Sequence, residues 1–344
     1  MRIGLLGAGR IGAFHAAALT GTPGVSELLV ADVDHGRAAG VAAEAGARAL
    51  DGVDAVFRAG VDAVVIATAT ASHPELIVRA ARAGLPVYCE KPVSVDLAGT
   101  VAALREVEAA GTVLQMGFQR RFDAGYLAAR DAVRSGRLGR LHTIRAVTSD
   151  AAPPPASYVP LSGGLYRDCL VHDFDVIRWL TGREVTEVYA MGTAGGEDFF
   201  RASGDVDTAA AVLTLDDGTL ATTTATRYHG AGYDVRMELA GSADQIAVGV
   251  GTRTPLTSVE PDAGPPGRQP WAGFLDRFDA AYRAELATFV RVVAGEAENP
   301  CPGVEALRAL QVAEACELSR RERRPVALSE IEDHTRLAGT AVPA

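Results

Sequence analysis

The stretch Gly7-Ala8-Gly9-Arg10-Ile11-Gly12 follows a short apolar run, Arg2 to Leu6, and opens an Ala-rich helical segment. In such a turn the first glycine permits the tight reversal. The second lets a phosphate approach the backbone, and the third lets helix and strand pack closely. The helix N-terminus adds amides and the positive end of its dipole, which suits an anion. Asp32 ends the next apolar run, Glu27 to Ala31, twenty residues past Gly12. That spacing sets a carboxylate on the adenosine ribose of a dinucleotide. A carboxylate there repels a 2′-phosphate, and no arginine directly follows it; Arg37 stands five residues on. The pattern favours NAD as cofactor over NADP.

The rhythm continues outward from this turn. Asp62 to Thr68, Pro86 to Cys89 and Val113 to Phe118 are further strand-like runs, and His73 to Ala83 and Leu97 to Ala110 carry helical period. This alternation predicts an α/β domain with a parallel doubly wound sheet over residues 1–120. The character changes after Phe122. A helix is expected from Asp123 to about Ser135, then a strand from Leu141 to Thr148. A Pro-rich loop follows from Ala151 to Pro160, and a helix from about Gly164 to Leu180. Val185 to Val250 reads as meandering strands. Asp217-Gly218 signals a hairpin between Ala209–Leu215 and Leu220–Arg227, and Val235, Met237 and Leu239 alternate with polar or small residues. A second Pro/Gly-rich loop spans about Pro255 to Gly273, and two helices, Leu275 to Val293 and Val304 to Arg323, close the chain. The second domain, residues 121–334, is therefore expected to be α+β with a large, mostly antiparallel open sheet.

Composition narrows the function classes. The 344 residues carry a net charge of −10, and the only basic cluster is Arg320, Arg321, Arg323 and Arg324, which reads as a solvated helix end. Nucleic acid and anionic membrane are thus not expected as partners. Cys89, Cys169, Cys301 and Cys316 show no metal-ligand spacing and no paired framework, so no metal is expected and a reducing compartment fits. No apolar run approaches a membrane span, and the chain opens directly into the glycine turn without a signal-peptide layout. A cytoplasmic protein is the expectation.

Of 33 basic side chains, one is a lysine: Lys91, in Val87-Tyr88-Cys89-Glu90-Lys91-Pro92. Lysine is a compact charge whose pKa moves on desolvation, whereas arginine stays protonated and presents a wide fork. A position that keeps lysine in an arginine-rich chain points to a need for that compactness or that proton.

Asp168-Cys-Leu-Val-His172-Asp-Phe-Asp175 is a second constellation. On a helix, positions 168, 172 and 175 share one face. A carboxylate there accepts an imidazole N–H, fixes the tautomer and stabilises the imidazolium, leaving the other ring nitrogen for acid–base work. A satisfied histidine on an acidic helix start is the alternative. The paired Arg120 and Arg121 in Gly117-Phe-Gln-Arg-Arg-Phe-Asp123 suit either a substrate anchor or a salt bridge. Tyr233 and Tyr282 suit either a polyol contact or packing.

Together these residues resemble the glucose–fructose oxidoreductase/inositol dehydrogenase (Gfo/Idh/MocA) family, nearly end to end. The resemblance rests on the glycine turn with Asp32, on Ala67-Thr68 with His73, and on Glu90-Lys91-Pro92. It continues in Gly117 to Asp123, in Ser162 to Asp175, in Gly232-Tyr233-Asp234 and in Arg277 to Tyr282. The GFQRRFD run with Asp168, His172 and Asp175 looks like the inositol 2-dehydrogenase branch. The resemblance implies a Rossmann domain followed by an α/β domain whose open sheet mediates oligomerisation, as a dimer or tetramer. It also implies NAD-dependent oxidation of a ring hydroxyl of a small-molecule polyol, with myo-inositol first in line. By position, Lys91, Asp168 and His172 match the catalytic set. Arg120, Asp150, Asp175, Tyr233 and Tyr282 match substrate contacts. Gly7, Gly9, Arg10, Ile11, Gly12, Asp32, Thr68, His73, Glu90 and Lys91 match the cofactor site. The chain departs at Ser149-Asp150-Ala151-Ala152-Pro153, where inositol dehydrogenases tend to show Arg-Asn-Pro or Arg-Asp-Pro and only Asp150 survives. Another cyclitol or sugar, such as scyllo-inositol or an aldose, is the nearest rival substrate. A non-catalytic dinucleotide-binding sensor is the rival from another class.

Overall fold

The first strands take up the apolar runs almost residue for residue: β1 (Arg2–Leu6), β2 (Glu27–Ala31), β3 (Arg48–Ala49), β4 (Ala63–Ile66), β5 (Val87–Glu90) and β6 (Leu114–Gly117). All pair in parallel, in the order β3-β2-β1-β4-β5-β6. This is a Rossmann sheet. Apart from the short β3, its strands are buried on both faces, which is why they read as largely apolar runs rather than as alternation. The two-residue β3 escaped the sequence reading because a run that short has no period. The strand order reverses at β1, so the crevice for a ligand lies beyond the C-terminal ends of β1 and β4, where Gly7 and Thr68 stand.

The computed structural model describes residues 1–261, 267 and 269–332. Residues 262–266 and 268 of the second Pro/Gly-rich loop, and 333–334 at the expected end of the second domain, lie outside the described residues. The described residues form two units: Met1–Phe122 with Ala280–Arg308, and Asp123–Asp279 with 309–332. Residues 280–308, expected in the second domain, thus belong to the first unit. In the structure Leu286, Phe289 and Val290 share a core cluster with Ile3, Leu5, Val30, Val65 and Tyr88. The same segment pairs Pro302 with Gln115 on β6, and Met116 N donates to Cys301 O at 2.8 Å, covering the sheet edge. An amphipathic stripe shows in a sequence, but not which sheet it will cover.

The second unit holds β7 (Leu141–Ser149), β8 (Val185–Thr193), β9 (Thr208–Leu215), β10 (Leu220–Thr226), β11 (Asp234–Gly241), β12 (Gln245–Val248) and β13 (Val326–Ala327). Their order is β12-β11-β7-β10-β9-β8-β13. Every pairing is antiparallel except β7 with β10, so the sheet is mixed but largely antiparallel. The β9–β10 hairpin turns at Asp217-Gly218, where Gly218 has φ +83° and Thr219 N donates to Asp217 Oδ1 at 2.9 Å. One face of the sheet is buried by Ile144, Ala209, Leu213, Ala221, Met237 and Leu239. The helix expected from Gly164 is two pieces: a wide π turn, Tyr166–Leu170, and an α-helix, Val171–Thr181.

Candidate active site

In the first unit the glycine turn is built as its spacing implied. Gly7 has φ +100°, and a Cβ on it would stand 2.5 Å from Ala67 O. A Cβ on Gly12 would stand 2.0 Å from Gly7 O. Gly9 differs: nothing lies within 4 Å of a Cβ there. The helix Arg10–Leu19 starts at Gly9 with no side-chain cap. Arg10 is exposed on its first turn and Ile11 half-buried. Open space beside an uncapped helix start, next to two glycines locked by backbone contact, fits a dinucleotide pyrophosphate.

Asp32 is buried at the end of β2. Its Oδ2 accepts from Ala8 N at 2.7 Å and its Oδ1 from Asp34 N at 2.9 Å. Each oxygen keeps a lone pair for a ribose hydroxyl. Arg37, noted in the sequence as the nearest arginine, reaches 3.9 Å from Asp32 Oδ1 and 3.6 Å from Asp34.

Lys91 is half-buried directly after β5 and begins a cis Lys91-Pro92 bond. Two expected cofactor residues brace it. Buried His73 has Nδ1 2.7 Å from Pro92 O and Nε2 3.1 Å from Thr68 O, which ties the ends of two strand segments together. Burial pushes its pKa down, more than the carbonyl contacts raise it. Thr68 Oγ1 in turn accepts from Ser72 Oγ at 2.7 Å. Glu90 turns inward: its Oε1 is 2.7 Å from His15 Nε2, and it accepts from Tyr88 OH at 3.2 Å. Tyr88 OH also donates to Glu285 Oε2 at 2.9 Å, and burial with that carboxylate pushes the phenol well above its usual pKa. His73 and Glu90 thus bond protein groups on either side of Lys91 in sequence and brace its turn. His15, Tyr88 and Glu285 were not foreseen; Glu285 lies 197 residues from Tyr88.

Arg120 is buried in the turn Gln119–Phe122. Its neighbour Arg121 forms a salt bridge with Glu305 at 2.9 Å and donates to Pro300 O at 3.0 Å, both in the first unit. Tyr282 is also in this unit, its ring 5.6 Å from that of Phe14.

The second unit brings Asp150 and Asp168 together through a residue the sequence reading missed. Arg227 Nη1 donates to Asp150 Oδ2 at 2.8 Å, and Nη2 to Asp168 Oδ2 at 2.6 Å. Tyr158 OH donates to Asp168 Oδ1 at 3.0 Å. Asp168 sits in the π turn and His172 in the first turn of the following α-helix, so the regular spacing assumed for 168, 172 and 175 is widened locally. Asp175 is fully buried on that helix. Tyr233 is buried and bridged to Trp271. Among the described residues no group of three or more His, Cys, Asp or Glu forms a metal-binding cluster, and no helix is long and apolar enough to cross a membrane.

Residues 1–118 match the model of an oxidoreductase family with an NAD-binding Rossmann fold, and residues 126–247 match the GFO/IDH/MocA C-terminal domain. The chain is 38% identical to the myo-inositol dehydrogenase Hyg17 of Streptomyces leeuwenhoekii, over 91% of this chain and 96% of that one. It is 33% identical to the NAD(+) scyllo-inositol 2-dehydrogenase of Bacillus subtilis, over 95% and 96%. The crystal structure of a myo-inositol dehydrogenase from Corynebacterium glutamicum is similar at a TM-score of 0.87 and 33% identity, covering 95% of this chain and 98% of that chain.

Proposed function

Because the chain belongs to the Gfo/Idh/MocA family of NAD-binding oxidoreductases, we propose that it oxidises a ring hydroxyl of myo-inositol to the 2-ketone. One observation carries the chemistry: a carboxylate, Asp168, fixed by Arg227 and Tyr158, stands four residues before His172. A carboxylate-supported imidazole is the group that takes a hydroxyl proton, and the Rossmann unit holds the partner for the other half of the reaction. NAD, when bound, accepts the hydride at the nicotinamide ring.

The residues divide the remaining work. His172 takes the hydroxyl proton and Asp168 stabilises the imidazolium that results. Lys91 stabilises the developing alkoxide. Asp150, Asp175, Tyr233, Arg120 and Tyr282 contact the other ring hydroxyls. Asp32 accepts the ribose hydroxyls and disfavours a 2′-phosphate, while Thr68, Glu90 and His73 shape the turn that presents Lys91. The Bacillus subtilis relative favours one second reading, the same chemistry on scyllo-inositol.

The test is NADH absorbance across inositol isomers and common aldoses, with NAD and NADP in parallel. We expect reduction of NAD by myo-inositol, in step with ketone formation. His172→Ala should lower kcat by about 10²- to 10⁴-fold with little change in NAD affinity. A protein that binds NAD and oxidises none of these polyols is a sensor, and the reading fails.

A further inference from the structure

Arg227 continues the inward register of β10, after the buried Ala221, Thr223 and Ala225. Its backbone N donates to Asp207 O at 2.8 Å, so the sheet ladder holds the position beyond the strand's last residue. The side chain is 5% exposed. Its fork meets two carboxylates on two other elements: Asp150, which follows β7, and Asp168 in the π turn. Among the described residues the buried Nε has no hydrogen-bond partner, and both strong contacts come from the two Nη atoms.

The surroundings make the charge count uneven. Around Arg227 stand Asp150, Asp168, Tyr158 on Asp168, and the Cys169 thiol 3.9 Å from Asp150 Oδ2. Asp205 also feels its charge. Burial works against the guanidinium, but Cys169, Asp168 and Asp150 outweigh it and keep its pKa above the ordinary arginine value. One guanidinium thus bonds two carboxylates, with Asp205 a further acid within its field.

We infer that Arg227 is the positioning residue of the cyclitol site: it clamps Asp150 and Asp168 into one unit and withdraws part of Asp168's charge from His172. This rests on the reading that Asp168 supports His172 as the base. A bare carboxylate beside an imidazole raises its pKa and keeps it protonated. An arginine on that carboxylate offsets the effect and so favours the neutral imidazole that a base needs. The same fork sets Asp150, the one polar survivor in the segment where the chain departs from its relatives' pattern, at a fixed place. Lysine, with a single point of attachment, cannot hold both carboxylates in this geometry.

The experiment compares wild type, Arg227→Gln and Arg227→Lys. It measures kcat and KM for polyol and NAD from pH 5 to 10, and follows the His172 ring proton by NMR in the same range, assigned by its loss in His172→Ala. Without Arg227 the cluster binds a proton more readily, whether on His172 or on a carboxylate. In Arg227→Gln the acid limb of kcat/KM and the His172 titration should therefore both move up by about one pH unit. The KM for NAD should stay within twofold, since the Rossmann unit is untouched. Arg227→Lys should keep the limb near its wild-type position and lose at least tenfold in kcat/KM for polyol. If the Gln variant does not fold, that tenfold loss in the Lys variant decides, and wild-type values there overturn the proposal. A lower melting temperature with an unmoved pH limb and titration makes Arg227 a structural ion pair and also overturns it. A wild type without polyol oxidation sinks the dehydrogenase reading separately, and the NMR titration still reads the clamp.

Discussion

Lys91 is the only lysine in the chain, so amine chemistry addresses it and the α-amino group alone. Reductive methylation keeps its charge but crowds the ammonium, and acetylation removes the charge. Either should inactivate the enzyme, acetylation more completely, and bound NAD with polyol should protect Lys91 but not the N-terminus. Lys91→Arg should lose about 10²- to 10³-fold in kcat, the usual worth of a donor that stabilises developing charge, because the wider fork cannot take its place. Most activity retained in Lys91→Arg would make the single lysine an accident of composition. This residue was legible because its context is local: a strand end and a signature within four positions. Arg227 was not. Its partners lie 77 and 59 residues away, and only a fold brings them to it. A faint signal existed, since an arginine that continues the inward alternation Ala221, Thr223, Ala225 must find buried carboxylates.

At the scale of one element, the glycine turn separates two demands that a sequence motif merges. Gly12→Ala puts a methyl 2.0 Å from Gly7 O, a backbone atom that cannot swing aside, so the turn must open. We expect a loss of about 1–3 kcal/mol in stability, typical of overpacking, and weakened NAD binding. Gly9 has ordinary dihedrals, φ −72° and ψ −170°, with open space around a Cβ. Gly9→Ala should melt within about 0.5 kcal/mol of wild type and still bind NAD at least tenfold more weakly, because the methyl takes the room meant for the pyrophosphate. Thermal melts beside NAD titrations distinguish the two. Unchanged NAD affinity in Gly9→Ala would place the phosphates elsewhere. Other elements were legible to differing degrees. β1 and β2 matched their apolar runs because burial on both faces writes itself into every residue. The π turn at Tyr166–Leu170 was not visible, since its one wide turn carries no sequence period of its own.

Across the whole chain, the least legible features are those that involve more than one layer. The helix Phe274–Val293 was recognised as a helix, but its Leu286, Phe289 and Val290 complete the first unit's core rather than the second's. The open sheet raises the same question beyond the single chain. Its covered face is apolar and small, and its other face is not uniformly polar: Tyr189, Met191, Val212 and Leu220 are exposed there, with Tyr189 paired to Val212 across β8 and β9. Thr222, Thr224 and the Arg145–Glu238 pair at 3.0 Å extend the same face across β10, β7 and β11. Scattered apolar residues need no partner, but a row of them across adjacent strands is a patch that water penalises. A second copy is the partner best matched to it, because two-fold pairing brings the same row against itself. A stable pair needs about 800 Å² per protomer. We expect dimers or tetramers by light scattering at micromolar concentration. Val212→Glu places like charges against each other at a two-fold contact, so it should shift the mass toward the monomer while NAD still binds. A wild-type protein that is monomeric under those conditions would show that the row is simply tolerated by solvent. A Val212→Glu variant of unchanged mass would move the interface to another surface.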